Sequence, residues 1–281
     1  MTAAYCNGEF LPLEAIRVSP LDRGFLFGEG IYEVTAVYGG RLFEPDAHVR
    51  RLQRGLDELR IDAGRTDEDW RRLMEELVRR SGLDGAATVY LQVTRGAAAS
   101  RTHIAPAGIR PTVFGMIAPL KLPPESWRTE GVTAVTMQDA RWSRCDLKSI
   151  SLLGSVMAQQ NAADNGVVDS LQLRNGLVTE GAATNIFVVR DGAIATPKAD
   201  HRILAGITRA VILELAAEAG LPHAERDVTA AELATADEVW ITSTSKEITP
   251  VTTLDGRPVG TGRPGPVWAD VFARFKARVG R

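Results

Sequence analysis

Four dipeptides, Asn7-Gly8, Asn175-Gly176, Asp191-Gly192 and Asp255-Gly256, interrupt apolar runs of this 281-residue chain. Asn, Asp and Gly accept positive φ at low cost, so each pair suits a two-residue turn that returns a strand antiparallel to itself. Hairpins spread from the first residues to the last fifth of the chain exclude an all-helical fold. The β-branched and aromatic runs Thr88–Thr94, Pro111–Ala118, Val132–Gln138, Val168–Arg174, Ile186–Arg190 and Val239–Thr242 supply further strands. Four segments carry helical signals instead. Over Ala47–Arg60, Val49, Leu52, Leu56 and Leu59 form one stripe, with Arg50, Arg51, Arg54 and Glu58 off it. Asp67–Ser81 opens on an acidic residue that complements the helix dipole. Ile150–Asn165 and Ile207–Gly220 complete the set, the latter closing on a C-capping glycine. The fold class is α+β.

The proline-rich stretch APLKLPPESW lies between two β-rich blocks and reads as a linker. It predicts a small N-terminal α/β domain over residues 1–120, a linker at 121–125 and a larger, β-rich C-terminal domain with helices over 126–281. Ligands favour such junctions, where both halves can contribute residues. A net charge of −2 gives no basic surface for nucleic acid or anionic lipid. No apolar run approaches the ~18 residues of a membrane span, and the opening residues lack a basic-then-apolar signal. The two cysteines, Cys6 and Cys145, have neither CxxC nor His-rich spacing, so neither a disulfide framework nor a metal site is expected. The expected location is the cytoplasm.

Of the 33 Lys and Arg residues only five are lysines: Lys121, Lys148, Lys198, Lys246 and Lys276. Arginine is never deprotonated, so it replaces lysine for charge but not for amine chemistry. Lys148 lies in DARWSRCDLKS, where an apolar frame of Trp142, Leu147 and Ile150 is mixed with Arg144 and Asp146. A reactive lysine, an acid and a phosphate cradle together suit pyridoxal phosphate. Lys148 can meet the aldehyde and Glu180, in TEGAATNIF, the pyridine nitrogen. GITR opens a helix at Gly206, where unpaired amides favour an anion, and Thr208 adds a hydroxyl. TSTS, Thr242 to Ser245, ends a strand and offers more donors. Each element alone has a plainer reading: a surface lysine, a solvated turn acid, ordinary helix capping, an exposed polar loop. Lys246 competes for the aldehyde, but it sits beside Glu247 in a polar loop that would leave its amine near the free value.

Taken in order, these segments resemble the class IV (fold-type-IV) pyridoxal-phosphate aminotransferases. EGxxxN-[IVL]-F runs from Glu180 to Phe187, and L-x-GITR from Leu204 to Arg209. Within the family the similarity is greatest to the D-amino-acid aminotransferases, through DRGFLFGEGIYEV, VYLQVTRG, RWSRCDLKS, TEGAATNIF, ILAGITR and TSTSKEITPV.

The resemblance implies a two-domain homodimer and a role for each matching residue. Lys148 is similar to the Schiff-base lysine that also moves the proton between substrate Cα and cofactor C4′. Glu180 resembles the partner of the pyridine nitrogen, and Arg51 the arginine on the phosphate. Ile207, Thr208, Ser243 and Thr244 match the phosphate cup, and Leu204 the apolar residue packed on the ring. Tyr32 and Glu33 match the active-site tyrosine and its acidic neighbour. Arg101 and His103, in RTH, are similar to the pair that traps the substrate α-carboxylate with the tyrosine, reaching in from the neighbouring subunit. Two departures stand out. RGAAASRTH carries one residue more than the family's RGxxxRxH spacing and lacks a proline before the arginine, and Ala182 and Ala183 replace hydroxyl residues.

The implied activity is ping-pong transamination between a D-amino acid, D-alanine-like or D-glutamate-like, and a 2-oxo acid such as 2-oxoglutarate or pyruvate. Other activities on the same scaffold are branched-chain L-amino-acid aminotransferase, (R)-amine transaminase and aminodeoxychorismate lyase. A non-catalytic phosphate-ligand binder would use the helix terminus but leave Lys148 and Glu180 unexplained.

Overall fold

A computed structural model describes residues 3–281. The chain divides into two compact units, one of residues 1–121 with 147–152 and the other of 122–146 with 153–281.

The first unit is built on a six-stranded antiparallel sheet. Its strands are β1 (Ala3–Cys6), β2 (Glu9–Pro12), β3 (Gly30–Tyr38), β4 (Arg41–Leu42), β5 (Ala87–Thr94) and β6 (Thr112–Pro119), in the order β2-β1-β6-β5-β3-β4. A short helix, α1 (Arg23–Phe27), precedes β3, while α2 (Pro45–Leu59) and α3 (Asp67–Ser81) pack on the sheet. The stripe of α2 is buried at Val49, Leu52 and Leu56, against Ile31, Trp70, Leu77 and Leu91. Gly55 completes that face, since a Cβ there would stand 3.0 Å from Ile31. A capping box of Thr66 and Asp69 starts α3, and Gly82 in the left-handed region ends it.

The second unit holds a nine-stranded mixed sheet. The strands are β7 (Val132–Gln138), β8 (Asp169–Arg174), β9 (Leu177–Val178), β10 (Asn185–Arg190), β11 (Ala193–Thr196), β12 (His223–Glu225), β13 (Glu238–Ser243), β14 (Glu247–Leu254) and β15 (Arg257–Pro258). Their order is β12-β11-β10-β13-β14-β7-β8-β9, with β15 on β14. The helices are α4 (Glu125–Thr129), α5 (Leu153–Asp164), α6 (Ile207–Glu218), α7 (Ala230–Ala234) and α8 (Pro266–Arg278). Central strands β10 and β13 read as near-continuous buried runs because side chains pack on both faces.

The pairs at Asn7, Asn175, Asp191 and Asp255 each turn a hairpin, with both residues at positive φ: β1–β2, β8–β9, β10–β11 and β14–β15. Beside the five-residue helices α1, α4 and α7, which were not anticipated, two longer helices depart from expectation. The segment expected to begin at Ile150 is helical only from Leu153, because the preceding backbone pairs with a strand. The Tyr32 amide donates to the Lys148 carbonyl at 3.0 Å, and the Ile150 amide to the Gly30 carbonyl at 3.1 Å. α8 lies outside the four helices anticipated, although Trp268, Val271, Phe272 and Phe275 bury a regular i, i+3, i+4, i+7 stripe. Its first turn is held by Glu238 of β13, which accepts from the amides of Val267 at 3.0 Å and Trp268 at 2.8 Å.

Candidate active site

In the first unit, extended pairing with β3 places Lys148 beside Tyr32. Its Nζ stands 4.2 Å from the centroid of the Tyr32 ring, a cation–π distance. Tyr32 stacks on Tyr90 at 5.7 Å, and the Tyr90 phenol donates to Gln92 at 2.6 Å. Burial, with Tyr32 alongside, pushes the Tyr90 hydroxyl up to about 12. In the second unit, Arg144 and Asp146 form an ion pair at 3.0 Å.

Beside Tyr32 in sequence, Glu33 is 1% exposed and carries a buried charge cluster. Arg51 is turned onto it as a two-pronged fork, Nε at 2.7 Å and Nη2 at 2.8 Å, and His48 Nδ1 lies 2.7 Å away. Burial raises the Glu33 carboxyl. The Arg51 charge, its hydrogen bonds and His48 outweigh this and hold the carboxyl well below the carboxylate range. His48 is lowered: burial dominates over Glu33, and Arg51 and Lys148 add repulsion. Off the apolar stripe of α2, Arg51 is thus largely buried rather than a solvated helix residue.

A second group in this unit contains Arg101 and His103. The Arg101 guanidinium lies 5.1 Å from the Phe27 centroid, and the His103 ring lies 5.5 Å from the same ring.

The second unit carries Glu180, 6% exposed and far from a solvated turn residue. One carboxylate oxygen pairs with Arg141; the other accepts from the Leu204 amide at 3.0 Å and from Asn185 Nδ2 at 3.2 Å. Arg141 is held by Asp139 at 2.9 Å, and Asp139 also takes Arg174 at 3.1 Å and the Thr179 hydroxyl at 2.8 Å. Burial raises Asp139, but the bonds and charge of Arg141, with the Thr179 hydroxyl, bring it down to about 2. Arg141 and Asn185 escaped sequence reasoning although both lie within quoted motifs. RWSRC and the Asn of EGxxxN name a family, and only the folded chain turns them onto Glu180.

Asn185 also donates to the Leu204 carbonyl at 2.8 Å, and a Cβ on Gly206 would collide with its Oδ1. Glycine is therefore required where α6 begins. Among the described residues no side chain caps α6, which leaves first-turn amides to another partner, and Thr208 is buried there. The last residue of GITR serves the fold: Arg209 donates to the Pro197 carbonyl at 2.7 Å and pairs with Glu225 at 2.6 Å. In the turn from β13 to β14, Ser243 Oγ accepts from the Lys246 amide at 3.0 Å, with Thr244 half-buried beside it. Thr242 Oγ1 is buried with no hydrogen-bond partner among the described residues. Lys246 does not sit free in a polar loop: its Nζ is 3.1 Å from Asp169, itself fully buried, and Glu247 pairs with Arg128 and Arg281. The amine of Lys246 is thus committed to a structural ion pair.

The amino-transferase class IV family matches residues 30–254. The chain belongs to the class IV aminotransferases. Curated relatives include the D-alanine aminotransferases of Bacillus licheniformis, 41% identical over 94% of this chain and 93% of that one, and of Staphylococcus haemolyticus, 38% identical over 95% and 94%. Among solved structures, the Escherichia coli branched-chain amino acid aminotransferase superposes with a TM-score of 0.93 at 26% identity, over 98% of this chain and 93% of that one. A T.th. branched-chain amino acid aminotransferase with pyridoxamine 5′-phosphate gives 0.92 at 27%, over 99% and 94%. Class IV aminotransferases use pyridoxal 5′-phosphate, and this aminotransferase has a donor set that fits it. The first unit offers an amine on an aromatic ring; the second, by itself, offers a buried carboxylate oriented by three donors and a helix start that no side chain caps among the described residues.

Proposed function

We propose that this class IV aminotransferase transfers the amino group of a D-amino acid, D-alanine-like or D-glutamate-like, to a 2-oxo acid such as 2-oxoglutarate or pyruvate, in ping-pong fashion. The observation that carries the reading is the presentation of Arg101 and His103 together on the Phe27 ring. A guanidinium and an imidazole on one platform suit a carboxylate, which charge-assisted bonds orient. The curated D-alanine aminotransferases are also more similar in sequence than the branched-chain enzymes that share the fold.

Pyridoxal phosphate, when bound, would supply a carrier for the amino group and an electron sink for the substrate Cα. The other work falls to the chain. Lys148 holds the cofactor through its amine and then moves the proton at the substrate Cα. Glu180, oriented by Arg141 and two further donors, would pair with the pyridine nitrogen. Arg51, Ile207, Thr208, Ser243 and Thr244 would hold the phosphate, and Leu204 would meet the ring. Tyr32, Arg101 and His103 receive the α-carboxylate, and this three-point hold presents the α-hydrogen of a D-substrate to Lys148. An L-substrate held the same way would direct its hydrogen away from the amine.

We further infer a cytoplasmic homodimer in which the RTH loop serves the neighbouring subunit. Exposed apolar side chains support an interface: Phe25 at 77% and Ile104 at 83% in the first unit, Leu153 at 73% in the second. Both cysteines are free, and no helix among the described residues is long and apolar enough to cross a membrane. A panel of D- and L-amino acids with 2-oxoglutarate, scored by oxo-acid release, tests the substrate reading. Turnover of D-alanine or D-glutamate is expected; turnover of L-leucine or L-valine with none for any D-amino acid would replace it with branched-chain activity.

A further inference from the structure

DRGFLFGEG, Asp22 to Gly30, belongs to the family motif yet has no part in the roles above. Its side chains converge on the loop that joins β5 to β6 and carries Arg101 and His103. Asp22 is 1% exposed and accepts from Thr94, at the end of β5, at 3.0 Å and from Thr112, at the start of β6, at 2.6 Å. It thereby ties both feet of the loop together. The base is also tight in the backbone, for Gly96 has φ +96° and a Cβ there would collide with the Arg110 carbonyl. Arg23, 3% exposed, grips the far part of the loop by its main chain. Nη1 donates to the Thr102 carbonyl at 2.5 Å and Nη2 to the His103 carbonyl at 2.9 Å, while Nε is held by Glu29 at 2.5 Å. Glu29 in turn pairs with Arg95, which donates to the Leu59 and Arg60 carbonyls at the end of α2. The Phe27 ring takes the Arg23 guanidinium at 4.8 Å as well as that of Arg101 and the ring of His103.

We propose that Arg23 and Phe27 are positioning residues that set Arg101 and His103 for the substrate α-carboxylate, an inference that rests on the carboxylate-trap reading of RTH. Arg23 fixes the backbone at residues 102 and 103, and Phe27 fixes the two side chains on either side of Thr102. The arrangement also accounts for the extra residue in RGAAASRTH. That residue falls between the base held by Asp22 and the carbonyls held by Arg23, so it lengthens the span without turning Arg101 relative to His103. A guanidinium is needed at position 23, because a lysine ammonium cannot reach two successive carbonyls and Glu29 in one planar fork.

The test uses the holoenzyme and four variants: Phe27→Leu, Arg23→Lys, Arg101→Leu and the double Phe27→Leu/Arg101→Leu. Phe27 is half-buried and leucine keeps its apolar bulk, so this variant is suited to folding where Arg23→Lys does not. Phe27→Leu is expected to raise the KM for D-alanine about 3- to 30-fold, the range of a cation–π contact, with kcat and cofactor absorbance little changed. The double variant should lose less than the sum of the two single losses, since the ring acts in part through the arginine and only its hold on His103 is left to lose. Amide hydrogen exchange should quicken over residues 98–104 in Phe27→Leu, and in Arg23→Lys if folded, with β5 and α2 unaffected. An unchanged KM and unchanged exchange in Phe27→Leu, while Arg101→Leu raises KM, would overturn the positioning role. Additive losses in the double variant, or kcat falling in step with KM, would overturn it equally. An unchanged KM in Arg101→Leu would instead remove the carboxylate-trap reading itself.

Discussion

Lys148 and Tyr32 are joined twice: the Tyr32 amide donates to the Lys148 carbonyl at 3.0 Å, and Lys148 Nζ stands 4.2 Å from the Tyr32 ring. The backbone bond fixes where the side chain starts, and the ring lies against its amine. Lys246 has different surroundings, an ion pair with Asp169. The contrast supports the proposed division, with Lys148 for chemistry and Lys246 for structure.

Lys148→Ala should lower transamination by at least about 10²–10⁴-fold, the contribution of a positioned acid–base group, with the circular dichroism of the fold retained. Borohydride treatment of the wild-type holoenzyme followed by peptide mapping should place the cofactor on Lys148. A label on Lys246 would reverse the assignment.

Lys246→Met should act on stability instead. It leaves the buried Asp169 carboxylate to the Ser170 and Ala182 amides and the Thr184 hydroxyl. Loss of one partner from such a group costs about 1–3 kcal/mol, read as a lower denaturation midpoint at near-normal kcat. A collapse of kcat with unchanged stability would contradict this division of labour.

Glu180→Gln should reduce kcat more than cofactor affinity. A neutral amide can still accept a hydrogen bond but no longer favours a protonated ring nitrogen, and the charge concerned develops in the transition state. Arg141 keeps Asp139 as its partner, so the fold should survive. Single-turnover kinetics with a Cα-deuterated D-alanine would locate the loss in proton removal; an unchanged rate would mean that another acid meets the ring.

Stability should fall on the acid side in two stages. His48 is lowered from 6.5, so its contribution is complete above about pH 6.5 and is lost as pH falls towards its folded value, because only the unfolded chain takes up the proton. Glu33 is lowered from 4.5, so its contribution holds above about pH 4.5 and disappears below it, the same sign at lower pH. His48→Asn should therefore flatten the profile between pH 7 and 5, by at most ~1.4 kcal/mol per pH unit, the effect of one proton. Chemical denaturation across this range measures it, and parallel profiles for the two proteins would exclude a neutral buried His48.

Mixing inactive Lys148→Ala chains with Arg101→Leu chains, assayed at D-alanine far below the raised KM of the latter, should restore activity after subunit exchange. Random pairing would give about a quarter of sites with both residues intact if Arg101 works across a two-fold interface. No recovery with exchange verified by mass spectrometry would place Arg101 at its own subunit's site.

The local sequence by itself determined the hairpins and much of the helical plan, because both depend on neighbours in the chain. Asn or Asp followed by Gly tolerates positive φ in any surroundings, and a leucine stripe at helical spacing marks its own buried face. The motif around Lys148 and the EGxxxN and GITR segments were legible for the same reason: their residue types are adjacent in the chain. What only the tertiary structure decided is which distant group each side chain meets. Arg141 reaches Glu180 across 39 residues, and Arg23 reaches the carbonyls of Thr102 and His103 across 79 and 80. Carbonyl groups occur at every residue and leave no mark in a sequence, so a guanidinium that selects two of them is invisible until the chain is folded. Lys246 shows the converse, since its neighbour Glu247 suggested a solvated loop, whereas the fold turns the amine to a carboxylate 77 residues earlier. Burial makes that choice: a charge removed from water must find its partner, wherever along the chain that partner lies.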